Sequence, residues 1–86
     1  MSEPALSLAM IVKNEQYNLY TCLQQVHDLV DEIIVVDTGS VDNTVQVAEQ
    51  FNASVYHYRW NENFSAARNF SLKKCNGKWI LVLDAD

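Results

Sequence analysis

The chain lacks the sequence features of fibrous, membrane-spanning and secreted proteins. Two glycines and one proline among 86 residues are too few for a fibrous or low-complexity chain. No apolar run approaches the roughly 20 residues that span a bilayer, and the first residues lack the positive charge of a signal peptide. A chain of this length buries enough surface for one small core. We therefore expect one cytoplasmic domain without a transmembrane segment.

Basic residues are also scarce, since six Lys and Arg stand against eleven Asp and Glu, for a formal net charge of −5. The broad basic face that attracts phosphodiester backbones is missing, so nucleic acid is not expected as a partner. Cys22 and Cys75 are too few for a disulfide framework. Both fall at positions of apolar periodicity, which indicates reduced core thiols.

The chain does contain a regular alternation of two hydrophobic patterns. Short apolar runs rich in β-branched and aromatic residues predict strands at residues 5–12, 32–36, 53–58 and 79–83. Apart from Glu32, the second and fourth runs are continuously apolar, which is typical of strands covered on both faces. Apolar residues at helical spacing predict helices over residues 19–26, 44–51 and 64–75. The predicted fold is α/β, a Rossmann-like, doubly wound and mostly parallel sheet in the order β-α-β-α-β-α-β.

Turn and cap residues stand near the predicted helix ends. The candidate N-caps, in chain order, are Asn14 or Asn18, Ser40 or Asp42, and Asn63. Asn76 and Gly77 predict a left-handed end to the third helix before the last strand begins.

In a doubly wound sheet, ligands bind outside the carboxyl ends of the strands. Three of these four ends carry acids. Glu15 and Asp42 are equally well explained by the preference of helix N-termini for negative charge. Asp84 and Asp86 are different, because residues two apart on an extended chain project to one side. Such a pair suits a hard divalent cation, with a solvated acidic strand end as the alternative.

Acids at this edge of the sheet would repel a diphosphate by about 1 to 4 kcal/mol per close pair. A bridging cation reverses the sign of that interaction. The same cation would neutralise the charge on a departing nucleoside diphosphate, which is the electrostatic task in sugar transfer from an activated donor.

Four segments together resemble inverting glycosyltransferases of family 2, which have the GT-A fold. They are Met-Ile-Val-Lys-Asn-Glu at residues 10–15, Val-Val-Asp-Thr-Gly-Ser-Val-Asp-Asn-Thr at 35–44, Asn-Phe-Ser-Ala-Ala-Arg-Asn at 63–69, and Trp-Ile-Leu-Val-Leu-Asp-Ala-Asp at 79–86, which ends in a DxD motif. These four segments are most similar to those of lipopolysaccharide core glucosyltransferases and related peptide S-glycosyltransferases. Many family members have Pro, an aromatic residue and a second Asp where this chain has Ile11, Lys13 and Thr38.

The resemblance implies a site for a nucleotide-sugar donor, with UDP as the expected nucleotide. The residues that it assigns to nucleotide binding are Val12, Lys13, Glu15, Asp37, Arg68 and Asp84. It assigns a Mg²⁺ or Mn²⁺ ion to Asp84 and Asp86. Independently of the resemblance, Asp37 is an acceptor suited to ribose hydroxyls or a base N–H, and Arg68 supplies a fixed fork of donors.

The family continues past its metal motif into an acceptor-binding half that supplies the catalytic base. Residues 1–86 are therefore expected to form the N-terminal donor-binding part of a truncated GT-A domain, inactive alone and without an assignable catalytic residue. The implied acceptor is a glycan, a lipopolysaccharide or a peptide, and the missing part would allow a peripheral position at the inner membrane. Half a sheet would expose apolar surface or strand edges, which suggests a homodimer.

Two other functions remain open. One is a nucleotide-binding module without transferase activity. The other is half of a nicotinamide-dependent dehydrogenase, which Lys13, Asn14 and Glu15 disfavour because they replace the glycines that approach a pyrophosphate.

The histidines and the aromatic residues after the third strand have plainer interpretations. His27 is expected at the surface, without partners at metal-binding spacing. His57, Tyr58 and Trp60 would line an entrance or pack at the core or sheet edge, with packing favoured.

Overall fold

The computed structural model describes residues 4–84 of the chain. Its elements, in chain order, are β1 (Leu6–Val12), α1 (Gln16–Val26), β2 (Glu32–Asp37), α2 (Thr44–Gln50), β3 (Ser54–His57), α3 (Phe64–Lys74) and β4 (Trp79–Val82). The predicted order of strands and helices is confirmed. No helix among the described residues is both long enough and apolar enough to cross a membrane.

The four strands form one parallel sheet in the order β3-β2-β1-β4. The two central strands pair in register from Ser7 with Glu32 to Val12 with Asp37. Helices α1 and α2 pack together, whereas α3 contacts β1 and β2. The carboxyl ends of β1 and β2 therefore lie side by side at the middle of one edge of the sheet.

The core is built on both faces of the two central strands. On one face, a single apolar cluster joins the sheet to α1 and α2; its buried members are Leu8, Met10, Val12, Leu19, Leu23, Ile33, Val35 and Ala48. The alternate residues Ala9 and Ile34 are paired in register and also buried, so they point to the opposite face. Ala67 and Ser71 of α3 are buried against this side. Helices thus cover both faces, and the doubly wound α/β prediction is confirmed.

The expectation that the fourth strand is covered on both faces is wrong. Trp79, Ile80, Leu81 and Val82 remain 38 to 67% exposed. Strand β4 stands at the edge of the sheet and pairs with β1, while α3 packs over β1 and β2. A continuous apolar run therefore predicts a strand with two apolar faces. The position of that strand in the sheet decides whether other elements within residues 4–84 cover the faces.

Of the residues predicted to cap helices, two bond to a backbone N–H in the first turn: Asn63 at α3, and Asp42, which accepts from the Thr44 N–H at 3.0 Å. Asn63 caps α3 by accepting a hydrogen bond from the Ala66 N–H at 3.0 Å. Helices α1 and α2 instead begin after Glu15 and Asn43, and neither side chain makes a capping bond. Asn14, one of the residues predicted to cap α1, lies in the loop before it with φ +53°.

Gly77 does not provide a left-handed helix end, because α3 ends at Lys74 and the next residue, Cys75, already has extended backbone angles. Its importance is steric. A Cβ at this position would lie 2.5 Å from Ser7 Oγ and 2.8 Å from Ser7 N. The chain therefore passes so close to β1 that a side chain at residue 77 would collide with it.

Polar residues close the amino end of the sheet. The buried Ser7 hydroxyl donates to Glu32 Oε1 at 2.6 Å and accepts from the Gly77 N–H at 2.8 Å. Glu32 also accepts from the backbone and side-chain N–H groups of Asn76, at 2.7 and 2.8 Å. Asp31 accepts from the backbone N–H groups at the start of β1. This network ties β1, β2 and the segment before β4 together.

Candidate functional site

The loops that follow β1 and β2 are held to each other by hydrogen bonds. Thr38 donates from its N–H and its hydroxyl to the Val12 carbonyl, both at 3.0 Å. The Asn14 N–H donates to Ser40 Oγ at 2.8 Å, and Asn14 Oδ1 accepts from the Val41 N–H at 2.8 Å. The two loops therefore form one fixed surface at the carboxyl edge of the sheet.

Asp42 has a structural role within this surface. It accepts from the N–H and the hydroxyl of Thr44 and, at 3.4 Å, from the Gln16 N–H. The bond from the Thr44 hydroxyl is the largest cause that holds the pKa of Asp42 below its usual value, although burial opposes it. Asp42 thus joins the starts of α1 and α2, in agreement with the helix-terminus explanation of this acid.

Asp37 ends β2 and is only 4% exposed. Its Oδ2 accepts from the N–H groups of Gly39 at 3.2 Å and Ser40 at 3.1 Å. The turn that presents these groups includes Gly39 at φ +118°, a conformation that favours glycine. The other oxygen, Oδ1, is buried and has no hydrogen-bond partner within residues 4–84. A buried carboxylate oxygen without a partner is costly, so it is a natural acceptor for a ligand.

Two adjoining cavities open at this edge. The larger, about 450 Å³, is lined by Asp37, Thr38, Gly39, His57, Tyr58, Arg59 and Trp60. The smaller, about 220 Å³, is lined by Ile11, Val12, Lys13, Thr38, Trp60 and Phe64. Because Thr38 and Trp60 line both, the two cavities form one cleft across the ends of β1, β2 and β3. The cleft combines a buried acid, three basic side chains and several aromatic rings.

The start of α3 brings Arg68 toward the cleft through Phe64. The guanidinium carbon of Arg68 lies 4.9 Å from the centroid of the Phe64 ring, within the range of a cation–π contact. Arg68 Nε is buried and finds no hydrogen-bond partner in the part of the chain that the structure describes. One turn of helix places these two residues on the same side, so the arginine sits behind the aromatic lining of the smaller cavity.

The structure places the predicted nucleotide-binding residues in two groups. Val12, Lys13 and Asp37 line the cleft. Glu15, Arg68 and Asp84 do not line either cavity. Glu15 is the N-terminal residue before α1, and its carboxylate accepts from Asn18 at 3.2 Å, as expected of an acid that serves a helix start.

Asp84 is exposed and follows β4, beside the end of β1. Leu83 donates its N–H to the Ala9 carbonyl at 3.4 Å, which continues the pairing toward Asp84. One strand separates β4 from β2, so Asp84 and Asp37 stand roughly 10 Å apart across the sheet. Asp86 lies outside the described residues. Within 4–84, no group of three His, Cys, Asp or Glu side chains is arranged to hold a metal ion.

His57, Tyr58 and Trp60 all line the larger cavity, and Tyr58 and Trp60 also pack on aromatic rings of α3, so lining and packing are combined in this segment. His57 is exposed, with Nδ1 3.7 Å from Asp37 Oδ2. Tyr58 also packs on Phe70, with 5.0 Å between ring centroids. Sequence reasoning placed this segment at a strand end but did not assign Arg59 or Phe64 to the cleft. The available signal was a cluster of large side chains directly after β3.

His27 and the two cysteines carry no sign of chemistry. His27 ends α1 and packs against Phe51, at 5.2 Å between ring centroids. Cys22 and Cys75 are free and half-buried. Burial raises the pKa of both thiols, and the negative charge of Glu32 adds to the effect at Cys75. Both therefore remain protonated thiols at neutral pH.

Comparisons with known proteins agree with this geometry. Residues 7–86 match the model of a family described as Glycosyl transferase family 2. The chain is 51% identical over 81 residues to a TPR repeat-containing protein of Synechococcus elongatus and 38% identical over 81 residues to an uncharacterized glycosyltransferase of Rickettsia felis. The alignments cover 94% of this chain but only 20% and 28% of those proteins.

Among solved structures, glucosyl-3-phosphoglycerate synthase from Mycobacterium tuberculosis superposes on 96% of the chain. The TM-score is 0.82 at 24% identity for its complex with Mn²⁺, UDP and glucosyl-3-phosphoglycerate, and 0.77 at 26% identity for its complex with Mn²⁺ and UDP-glucose. This chain spans about a third of that enzyme. The GT-A arrangement predicted for the sheet is thereby confirmed.

Proposed function

Since this chain belongs to glycosyl transferase family 2, we propose that it is the donor-binding part of an enzyme that transfers a sugar from a nucleoside diphosphate, with UDP as the nucleotide. Residues 1–86 would form the N-terminal portion of a GT-A domain. The chain spans between a fifth and a third of the relatives and structures that it matches, which supports assigning the acceptor site and the catalytic base to a further part of the domain.

The observation that carries the proposal is the unpaired Oδ1 of Asp37. Asp37 lines a cleft that has room for a small molecule, about 450 Å³ in volume and within the roughly 300 to 1,000 Å³ typical of ligand sites. A nucleoside offers N–H and O–H donors, which a carboxylate oxygen accepts strongly. Lys13 lines the adjoining cavity and supplies positive charge next to this acceptor.

The strand order suggests how a nucleotide would lie in the cleft. Asp37 at the end of β2 would accept from the base or the ribose. Val12 and Lys13 at the end of β1 would lie beside the ribose and the first phosphate. Asp84 at the end of β4 is on the far side of β1, where the diphosphate would reach.

A divalent cation fits the chemistry at β4. Asp84 presents an exposed carboxylate, the ligand that Mg²⁺ and Mn²⁺ prefer. Its charge has the same sign as that of a diphosphate, so a cation between them would turn repulsion into attraction. Asp84 and Asp86 would hold the ion, which when bound would offset the charge of the diphosphate leaving group. The Mycobacterium tuberculosis enzyme crystallised with Mn²⁺ and UDP-glucose supports this assignment at 26% identity.

The resemblance in sequence suggests inverting transfer to a glycan, lipopolysaccharide or peptide acceptor. Inversion needs a base beside the acceptor nucleophile. The acids described at the cleft have other roles in this proposal, so we expect the chain to bind a donor without transferring its sugar.

Calorimetric titration with UDP and UDP-glucose tests the proposal. We expect the wild-type chain to bind both, and Mn²⁺ or Mg²⁺ to tighten binding. Asp84→Asn should remove most of the metal effect while leaving metal-free binding in place. Binding that ignores the metal in both proteins would favour the non-catalytic nucleotide-binding module, and no binding of either compound would contradict the proposed function.

A further inference from the structure

Trp60 occupies a particular place in the cleft. Its side chain lines both cavities, as Thr38 does, so a ligand that extends from one cavity into the other contacts it. Trp60 is 40% exposed and its neighbour Phe64 is 46% exposed, so an accessible aromatic surface borders the cleft. The backbone after β3 therefore presents an indole to the cleft instead of burying it.

The indole is also held in place. Its ring meets the Phe64 ring edge to face, with 6.5 Å between centroids and an interplanar angle of 68°. Phe64 in turn lies under the Arg68 guanidinium, and the start of α3 is fixed by the Asn63 cap. An aromatic surface that is already ordered loses little side-chain entropy when a ligand stacks on it.

Among the parts of a nucleotide sugar, the base is the one that matches this surface. A diphosphate presents charged oxygens, which an indole face does not satisfy. A sugar ring can lay its C–H face on an indole, but in the proposed orientation the sugar lies beyond the diphosphate, toward β4, whereas Trp60 shares a cavity with Asp37 at the ends of β2 and β3. A nucleobase has an apolar π-face and polar edges. Asp37, on the wall of the same cavity, can accept a hydrogen bond from such an edge or from the attached ribose.

We propose that Trp60 is a specificity-determining residue of the donor site, and that its indole is the surface on which the nucleobase stacks. This inference rests on the proposed function and adds the residue that recognises the base. Stacking on an aromatic side chain contributes about 5- to 150-fold in affinity, or about 1 to 3 kcal/mol. Trp60 would therefore supply much of the preference for a nucleotide over a bare diphosphate.

The chain contains its own control for a fluorescence test, because its second tryptophan lies at the other end of the sheet. Trp79 begins β4 and is paired with Leu6 at the start of β1. Trp79→Phe leaves Trp60 as the only indole, and Trp60→Phe leaves Trp79. Titration with UDP in the presence of Mg²⁺ should change the fluorescence of Trp79→Phe saturably, with the Kd found by calorimetry. The fluorescence of Trp60→Phe should stay constant.

A series at residue 60 separates stacking from packing. Trp60→Phe keeps an aromatic face and should retain most of the affinity for UDP. Trp60→Leu keeps an apolar side chain without the π-face, and Trp60→Ala removes both, so each should weaken UDP binding by about 5- to 150-fold. Inorganic pyrophosphate, which has no base, should bind all four proteins equally. Thermal unfolding of each variant checks that it is folded.

The outcomes distinguish this inference from the proposed function. If UDP binds with wild-type affinity to Trp60→Ala, or if Trp60→Leu binds as well as Trp60→Phe, the stacking role is wrong while donor binding stands. A loss of pyrophosphate affinity equal to the loss of UDP affinity would also overturn it, because the indole would then act by shaping the cleft. If the wild-type chain binds no UDP by calorimetry, both proposals fail together.

Discussion

The amino and carboxyl ends of the parallel sheet both carry buried polar side chains, and the two ends differ in what satisfies them. At the amino end, Ser7 and Glu32 exchange hydrogen bonds with each other, with Asn76 and with Gly77. At the carboxyl end, Asp37 bonds through one oxygen and leaves the other buried without a partner beside a cleft. A closed network stabilises the fold, whereas an unpaired acceptor on a residue that lines a cavity indicates a ligand.

Substitution at Asp37 is expected to have the largest effect on binding. Asp37→Asn keeps an oxygen for the Gly39 and Ser40 N–H groups but removes the charge that a ligand donor would meet. Hydrogen bonds to charged groups contribute about 1.5 to 3 kcal/mol, so UDP affinity should fall by about 10- to 150-fold. Calorimetry should show this loss with and without Mg²⁺.

Glu32→Gln is the matched control for Asp37→Asn, because it makes the same chemical change at the closed end of the sheet. We expect UDP affinity to be unchanged in this variant. A loss confined to titrations with metal would contradict the role of Asp37, and an equal loss in Glu32→Gln would remove the distinction between the two ends.

Substitution of the two glycines, Gly77 near the amino end of the sheet and Gly39 at the carboxyl end, gives a second comparison of the two ends. Gly77→Ala would force a Cβ against Ser7 and should destabilise the chain by about 1 to 3 kcal/mol, without changing the UDP affinity of the folded protein. Gly39→Ala meets no atom within 4 Å, but φ +118° strains it by roughly 1 to 3 kcal/mol. Because Gly39 lines the cleft, this variant should also weaken UDP binding. Chemical denaturation and calorimetry measure the two effects.

Ser7→Ala combined with Gly77→Ala checks the steric explanation. Removing Ser7 Oγ relieves the 2.5 Å contact, but it also removes the hydrogen bonds to Glu32 and from the Gly77 N–H and leaves the 2.8 Å contact with the backbone nitrogen. The double variant should therefore lose less stability than the sum of the two single variants. Full stability of the single Gly77→Ala variant would show that the chain can move away from β1 at this point.

Asn63 shows that a polar residue at the carboxyl end can also be structural. Asn63→Ala removes the bond from the Ala66 N–H and should lower the free energy of unfolding by about 1 kcal/mol. Asn63→Ser restores an N-cap and should recover most of that loss. UDP affinity should change little in either variant once the protein is folded. A large loss of affinity in Asn63→Ser would assign this side chain to the ligand.

The smallest expected effect is a dependence of stability on pH. Burial raises the pKa of Glu32, but bonds from the Asn76 backbone, the Ser7 hydroxyl and the Asn76 side chain outweigh it and hold the pKa below its usual value. The folded protein therefore binds this proton less readily than the unfolded chain, whose Glu pKa is about 4.3. The stabilisation is present above that pH and is lost as the pH falls through the folded pKa.

Denaturation in urea at several acidic pH values measures this effect. Stability should fall more steeply with acid in the wild type than in Glu32→Gln, which has no carboxylate to protonate. Asp42→Asn should reduce the slope in the same direction, since the Thr44 bond also lowers the pKa of Asp42. Identical slopes in all three proteins would mean that these bonds do not differ between the folded and unfolded states.

The alternation of apolar patterns was sufficient to predict the elements of the fold. Short β-branched runs and helical spacing depend on local chemistry, so all four strands and three helices were predictable. The exposure of β4 was not, because it depends on which strand stands at the sheet edge. Gly77 was predicted to end a helix, but its role is a close approach to Ser7. These two residues are 70 positions apart in sequence, so no local pattern could show that contact.

The candidate site was predictable in position but only in part by residue. The rule for strand ends located Val12, Lys13 and Asp37, which line the cleft. It could not tell that Trp60 faces the cleft, because the direction of a side chain in the loop after β3 depends on packing against α3. Nor could it separate Asp42, which bonds to Thr44, from Asp37, which leaves an oxygen unpaired.

Amide chemical-shift mapping by NMR during a titration with UDP and Mg²⁺ tests the contrast between the two ends most directly. We expect the largest shifts at the carboxyl end, at Val12, Thr38, Gly39 and Trp60, and none at Ser7, Asn76 or Gly77. Shifts concentrated at the closed amino end, or spread evenly over the sheet, would contradict the assignment of the donor site to the carboxyl edge.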